Sequence, residues 1–379
     1  MKPYNRPGPD ERRPVLITGG AGFIGINLAH RLLAGGNAVI IYDNLSRPGV
    51  ERNLRWLRAQ HRENLNVVVA DVRDEKALAG ATRQAGQVFH FAAQAAVTAS
   101  LEDPIGDFEV NARGTLNVLE ALRKLGRPVP LLFSSTSKVY GDLRDITIAP
   151  SETRYIVPAY SQLCDGVDEQ RRLEFQNPHG CSKGAADQYV LDYARTYDMP
   201  AAVFRLSCIY GPHQCGTEDQ GWIAHFVLSA LQEQQITIFG DGKQVRDALF
   251  VEDLIDAMIF AQANMEAVSG RAFNIGGGPG NTVSLLELIS LLATLQGTLP
   301  KVKFASWRAA DQRFYVSDIR RFSAATGWKP RVGVREGVRR LHRWLIENRV
   351  AEAEAAQISP PSTVIAAGRD VFLSETRQL

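Results

Sequence analysis

The segment VLITGGAGFIG at residues 15–25 constrains the fold more than any other part of the chain. Val15-Leu16-Ile17-Thr18 is a short, wholly apolar run apart from its last residue, as expected of a strand covered on both faces. From Phe23 to Ala34 apolar residues recur at helical spacing, with Ile24, Leu28 and Leu32 on one side. Between strand and helix stand Gly19, Gly22 and Gly25 in the spacing GxxGxxG. The first glycine allows a tight turn, the second lets the backbone approach a pyrophosphate, and the third lets helix and strand pack closely. The helix start then offers free N–H groups and the positive end of its dipole to phosphate. Gly19, Gly22, Phe23, Ile24 and Gly25 are therefore the candidate cradle for a dinucleotide. Asp43 closes the second strand-like run, 18 residues after Gly25. There its carboxylate can accept from a ribose diol and would repel a 2′-phosphate, which favours NAD over NADP. Asn44 follows it. Arg47 nearby is a milder signal in the opposite sense, and an ordinary strand-end cap is the plainer alternative for Asp43.

The same alternation continues. Residues 38–43 (AVIIYD), 66–71 (NVVVAD), 87–93 (QVFHFAA) and 130–136 (PLLFSST) read as strands, and 201–210 as another. Helical patterns run over 107–125 and 180–197. Continuous apolar strands between amphipathic helices predict an α/β fold, a Rossmann-type doubly wound parallel sheet with a smaller α/β substrate-binding domain. The expected division is a flexible N-terminus over 1–13, a mainly NAD-binding domain over 14–210, a mainly nucleotide-sugar-binding domain over 211–350 interleaved with the first, and a C-terminal tail over 351–379. Pro360-Pro361 would break any helix there.

The 379 residues carry 43 Lys and Arg against 41 Asp and Glu, a net charge of +2 that argues against a nucleic-acid protein. No apolar run is long enough for a membrane helix, and the polar, Pro-rich start lacks the core of a signal peptide. The four cysteines make no CxxC pair and no His cluster has metal-ligand spacing, so reduced thiols, no metal and a cytoplasmic location are expected. GxxxxGK[ST] is missing, which disfavours a P-loop ATPase.

Several separated motifs carry a resemblance: TGGAGFIG (18–25), ADVRD (70–74), HFAAQAAVTAS (90–100), SSTSKVYGD (134–142), HGCSK (179–183), IYGPHQ (209–214), GKQVRD (242–247) and WRAADQRFYVSDI (307–319). Over about residues 15–344 the chain resembles the extended short-chain dehydrogenase/reductase family, the NAD-dependent nucleotide-sugar epimerases and dehydratases. SSTSKVYGD, HGCSKGAADQY, EDQGWIAHF and GKQVRD most resemble the epimerases that act at C2 of CDP-linked deoxyhexoses. The resemblance implies that Asp71 and Val72 sit at the adenine, that Ala92, Ala93, Gln94 and Ser134 line the cofactor, and that Thr136 and Lys183 belong to the catalytic group. It implies substrate contacts from Lys138, Asn177, Cys208, Gln220, Arg246 and Arg308, the two arginines holding the diphosphate of a CDP- or UDP-linked sugar. It further implies a homodimer or homotetramer paired through the helices near 107–125 and 180–197.

One position departs from the family pattern. Where the family has the Tyr of YxxxK, this chain has His179. A free imidazole titrates near 6.5 and can serve as a base at neutral pH, but it is shorter than a phenol. A base misplaced by an ångström can cost about 100-fold in rate. Three readings stay open: His179 as a working base in shifted geometry, as a residue specialised for a non-epimerising reaction (decarboxylase, dehydratase or lyase), or as the mark of a catalytically impaired nucleotide-sugar-binding protein. The first implies an epimerase that oxidises the sugar transiently to a keto-sugar and returns hydride to the opposite face. Ser137-Lys138 stands where dehydratases carry Asp-Glu, which removes the acid for water elimination. Cys208, where relatives often have Asn or Ser, is a poorer hydrogen-bonding group.

Overall fold

A computed structural model of the chain describes residues 13–158, 164–308 and 311–358. Seven strands build its main sheet: β1 (Val15–Thr18), β2 (Val39–Asp43), β3 (Leu65–Val69), β4 (Gln87–His90), β5 (Leu131–Thr136), β6 (Ala201–Leu206) and β7 (Ala272–Ile275). All pair in parallel, in the spatial order β7-β6-β5-β4-β1-β2-β3. Successive side chains serve opposite faces, as the period of two requires. Ile17, Ile41 and Phe89 join one core with the helices Phe23–Ala34 and Val251–Ala263. Leu16, Ile40 and Val88 join the other with Glu75–Gln84, Gly114–Arg123 and Pro178–Thr196. The strand order reverses between β1 and β4. At such a switch point the loops after the carboxyl ends diverge and leave a crevice.

The polypeptide crosses from sheet to sheet where one strand was expected over 201–210. β6 stops at Leu206, and Cys208–Tyr210 pairs instead with Val245–Phe250. The hinge is Ser207, whose hydroxyl donates to the buried Asp247 carboxylate and whose N–H bonds the Ile275 carbonyl. Val245–Phe250 also pairs antiparallel with Thr282–Ser284 and parallel with Phe314–Tyr315. The helices Trp222–Leu231 and Leu285–Gln296 and the start of Val334–Ile358 close a separate core over this small sheet. The sequence after 211 nevertheless returns to the main sheet as β7 and the helix Val251–Ala263.

Two helices differ from expectation. The pattern over 107–125 begins earlier, at Pro104, and contains a wider π turn over Glu109–Arg113 before Gly114–Arg123. The expected tail starts as helix: Val334–Ile358 runs eight residues past 350 before Pro360-Pro361. The flexible start expected over 1–13, apart from Arg13, and residues 359–379 lie outside the described residues. No described helix is long and apolar enough to cross a membrane.

A buried ion pair fixes the long helix Pro178–Thr196 against β6. Both guanidinium edges matter: Arg205 Nε donates to Asp187 Oδ2 at 2.8 Å and Nη2 to Oδ1 at 3.0 Å, while Nη1 donates to the Tyr140 hydroxyl at 3.0 Å. Asp187 is fully buried, and removing one partner would strand the other charge. Asp187→Ala should lower unfolding free energy in urea by about 3–5 kcal/mol, and Asp187→Leu with Arg205→Met should recover most of it. Equal stability of the two variants would contradict this role.

Candidate active site

The turn after β1 is built by close backbone approach. Gly19 adopts φ +66°, and a Cβ there would lie 2.6 Å from the Ala92 nitrogen. A Cβ on Gly25 would lie 2.5 Å from the Gly19 carbonyl oxygen. Gly22 precedes the helix Phe23–Ala34 with no side-chain cap, so the first-turn N–H groups remain available. Asp43, at the end of β2, accepts from the Ala21 N–H at 3.0 Å and from the Leu45 N–H at 2.8 Å. Burial raises its pKa, while those backbone bonds and Arg47 pull it down. Asp71 accepts from Arg73 and Asn44, and the Arg73 guanidinium above all holds its carboxyl well below the usual range.

These groups surround a cavity of about 410 Å³ lined by Gly19, Gly22, Asp43, Asn44, Asp71, Val72, Ala92, Ala93 and Gln94. A second cavity of about 350 Å³ shares Gly19, Gly22, Phe91 and Ala93 with it, so the two form one cleft. Its walls bring together Phe23, Ile24, Gly25, Ser134, Thr136, Lys138, His179, Lys183, Cys208, Gln220 and Arg246. The glycine cradle, the acceptors at Asp43 and the buried, unpartnered Ser135 hydroxyl in the same wall suit a bound dinucleotide.

Thr136 ends β5. Its hydroxyl oxygen accepts from the Lys138 N–H at 3.2 Å, which leaves its proton to donate into the cleft. Lys183 is buried, with Nζ 4.2 Å from the centre of the Phe133 ring. Burial pushes its pKa down to about 7, against the pull of Asp187 and Asp107. Behind it His90 joins Thr18 (2.6 Å) to Thr115 (3.0 Å); burial pushes this histidine down to about 3, so it is a neutral spacer.

His179 stands on the first turn of Pro178–Thr196, beside Thr136 and Lys183 in the cleft wall. Its backbone N–H donates to the Ser100 hydroxyl at 3.2 Å. Its Nδ1 is buried without a hydrogen-bond partner and lies 3.7 Å from Asp107 Oδ1. Asp107 is itself buried and accepts from Asn111 Nδ2 at 3.0 Å and from the Ser182 hydroxyl.

At the opposite wall Lys138 Nζ donates to Gln312 Oε1 at 3.3 Å; burial first, then the Arg246 charge, lowers its pKa. Arg246 binds Asp311 at 2.8 Å rather than its neighbour Asp247, which points the other way toward Ser207. The Cys208 sulfur accepts from Trp222 Nε1 at 3.4 Å, and burial pushes the thiol up. Gln220 accepts from Arg47 across the cleft mouth.

Two expected substrate residues are not brought into this cleft. The Asn177 side chain caps the helix Pro178–Thr196, accepting from the Gly180 N–H at 2.8 Å. Arg308 lies over the Phe239 ring, 3.9 Å from its centre, bonded to the Glu218 carbonyl and paired with Asp219, and it lines a neighbouring cavity. Tyr140 is buried, donating to Asn274 at 2.7 Å. Sequence reasoning missed Asp107, Gln312 and Ser135. Asp107 and Asn111 are four apart on one helical pattern and so share a face, a usable signal; Gln312 carried none.

Residues 15–276 match the NAD dependent epimerase/dehydratase family. The chain belongs to that family. It is an enzyme of the nucleotide-sugar epimerase/dehydratase group, and NAD is its cofactor. The chain is 42% identical over 337 residues to CDP-paratose 2-epimerase of Salmonella typhi, covering 87% of this chain and 98% of the relative. It is 30% identical to a putative UDP-glucose 4-epimerase of Methanocaldococcus jannaschii, covering 88% and 99%. Among solved structures, UDP-glucose 4-epimerase of Thermus thermophilus in complex with NAD superposes with a TM-score of 0.72 at 30% identity, covering 88% of this chain and 99% of that one. The Thermotoga maritima UDP-glucose 4-epimerase with UDP-glucose gives 0.75 at 30% identity, covering 89% and 99%.

The lowered pKa of Lys183 has a sign. Between about pH 7 and pH 10 the unfolded chain, with an ordinary lysine near 10.4, binds more protons than the folded one. Its contribution to stability therefore grows as pH rises through that window. Urea midpoints of the NAD-free protein should gain on Lys183→Met as pH goes from 7 to 9.5; parallel pH curves would contradict the burial argument.

Proposed function

We propose that this enzyme epimerises C2 of a CDP-linked deoxyhexose through a transient keto-sugar. The observation that carries the reading is the single cleft in which the glycine cradle and Asp43 meet Thr136, His179 and Lys183 on one wall and Lys138, Cys208 and Arg246 on the other. The similarity to CDP-paratose 2-epimerase, across nearly all of that relative, supports the choice of nucleotide and carbon. Bound NAD supplies a two-electron acceptor that takes hydride from the sugar carbon and gives it back.

The chain's own groups do the rest. The Thr136 hydroxyl, already accepting from the Lys138 N–H, donates to the reacting sugar hydroxyl and orients it. His179 takes the hydroxyl proton as general base and later returns it. Lys183, close to half-charged near pH 7, adds positive potential where alkoxide character develops. Arg246, held by Asp311, presents its remaining donors to phosphate oxygens. Lys138 occupies the position that would need a carboxylic acid for water elimination, which favours epimerisation over dehydration. Ile105, Phe108 and Tyr189 are 76%, 52% and 46% exposed on the helices Pro104–Phe108 and Pro178–Thr196, and support a homodimer packed through that apolar face.

Incubation with CDP-paratose and no added NAD should yield its C2 epimer by NMR. UDP-glucose should give no epimer, and His179→Gln should slow the CDP-sugar reaction by about 100-fold or more. Failure of the wild type to invert C2 of CDP-paratose would contradict the reading.

A further inference from the structure

The His179 imidazole has an inner and an outer nitrogen. Nδ1 faces the interior, where it has no hydrogen-bond partner and the Asp107 carboxylate stands 3.7 Å away. A buried polar atom without a partner is costly, and a shift of under about 1 Å brings this pair to hydrogen-bond distance. Asp107 cannot supply the proton. Its two oxygens already accept, one from Asn111 Nδ2 and the other from the Ser182 hydroxyl, so it stands as an acceptor with lone pairs left over. Only a protonated Nδ1 fits against it.

From this geometry we infer that Asp107 is a positioning residue: its carboxylate fixes His179 as the Nδ1–H tautomer and leaves Nε2 unprotonated toward the cleft, which makes the imidazole a base where the family pattern has a phenol. The arrangement follows the logic by which a buried carboxylate holds a general-base histidine in hydrolytic triads, where it sets tautomer and orientation and steadies the imidazolium that forms. No net proton leaves the pair. The sugar O–H bond breaks as Nε2–H forms, the positive charge on the ring is balanced by Asp107, and the same proton returns when the keto carbon is reduced.

Asp107 is well placed to hold this geometry. It lies on the helix Pro104–Phe108, at the edge of the wider turn Glu109–Arg113. Asn111, on that turn, donates through Nδ2 to Asp107 and also to the Gln94 carbonyl, while its side-chain Oδ1 accepts from the Gln94 N–H. Gln94 lines the cofactor end of the cleft. Ser182, three residues after His179, donates to the other carboxylate oxygen. The carboxylate is thus tied to the cofactor wall by Asn111 and to the helix of His179 by Ser182.

The inference rests on His179 as base, and the test separates the two claims. In ¹⁵N-labelled protein with NAD bound, long-range imidazole spectra, assigned through His179→Gln, should show Nδ1 protonated and Nε2 bare in the wild type. Asp107→Asn should change that signature. With CDP-paratose as probe, kcat of the variant should fall at least 100-fold while KM and the amount of NAD retained change less than about threefold. A wild-type Nε2–H tautomer would overturn the inference even if the enzyme is fully active, and so would an Asp107→Asn variant within threefold of wild-type kcat. Should Asp107→Asn fail to fold, the wild-type tautomer decides alone. An Nδ1–H tautomer in a protein that does not epimerise would leave the dyad standing and reject the proposed reaction.

Discussion

The structure depends on how close the turn after β1 comes to the start of the loop after β4. Gly19 leaves no room for a side chain against the Ala92 backbone, and Gly25 none against Gly19. That contact draws the carboxyl ends of two adjacent strands together at the point where the sheet order reverses. Everything functional is arranged around it: the cradle on β1, Asp43 at the end of β2, Ala92 to Gln94 after β4, and Thr136 at the end of β5. A parallel sheet offers its polar, divergent loops at one edge only, so cofactor and reacting groups meet there.

Electrostatics then sorts the residues in the cleft. Lys183 and Lys138 are cations placed where water is scarce, and both have lowered pKa values because burial disfavours their charge. Neither has a direct carboxylate partner that cancels it as Asp187 cancels Arg205. Such groups respond strongly to negative charge arriving with a ligand, whether phosphate at the diphosphate end or a developing alkoxide at the sugar. Arg205 and Asp187 show the contrasting case, a saturated pair that holds shape and has nothing left to offer.

Much of this was legible in the sequence, for identifiable reasons. The strands β1, β2, β4 and β5 announce themselves because burial on both faces forces unbroken apolar runs, whereas β3 is an edge strand with Val69 exposed, and the cradle shows because only glycine tolerates the Gly19 turn. The end of β6 is hidden in the sequence: Leu206, Ser207 and Cys208 read as one extended run, and the switch of sheets rests on distant partners, Asp247 for Ser207 and Val245–Phe250 for Cys208–Tyr210. Arg246 and Asp247 are neighbours in sequence, but successive residues of a strand face opposite ways, and Asp311, distant in sequence, is the partner that Arg246 takes. The family resemblance makes Asn177 a substrate contact, whereas an Asn before Pro at a helix start serves first as a cap. Asp107 and Asn111 share a helical face that the spacing could have shown, but the closeness of Asp107 to His179 joins two elements 72 residues apart, a gap that no local pattern spans.

The central claim is that the inverted carbon loses and regains its own hydrogen. CDP-paratose carrying deuterium at C2 tests it directly. Converted in ordinary water, the epimer should keep the deuterium at C2, and unlabelled substrate converted in D₂O should acquire none there. Loss of the label to solvent, or entry of solvent deuterium at C2, would contradict the account.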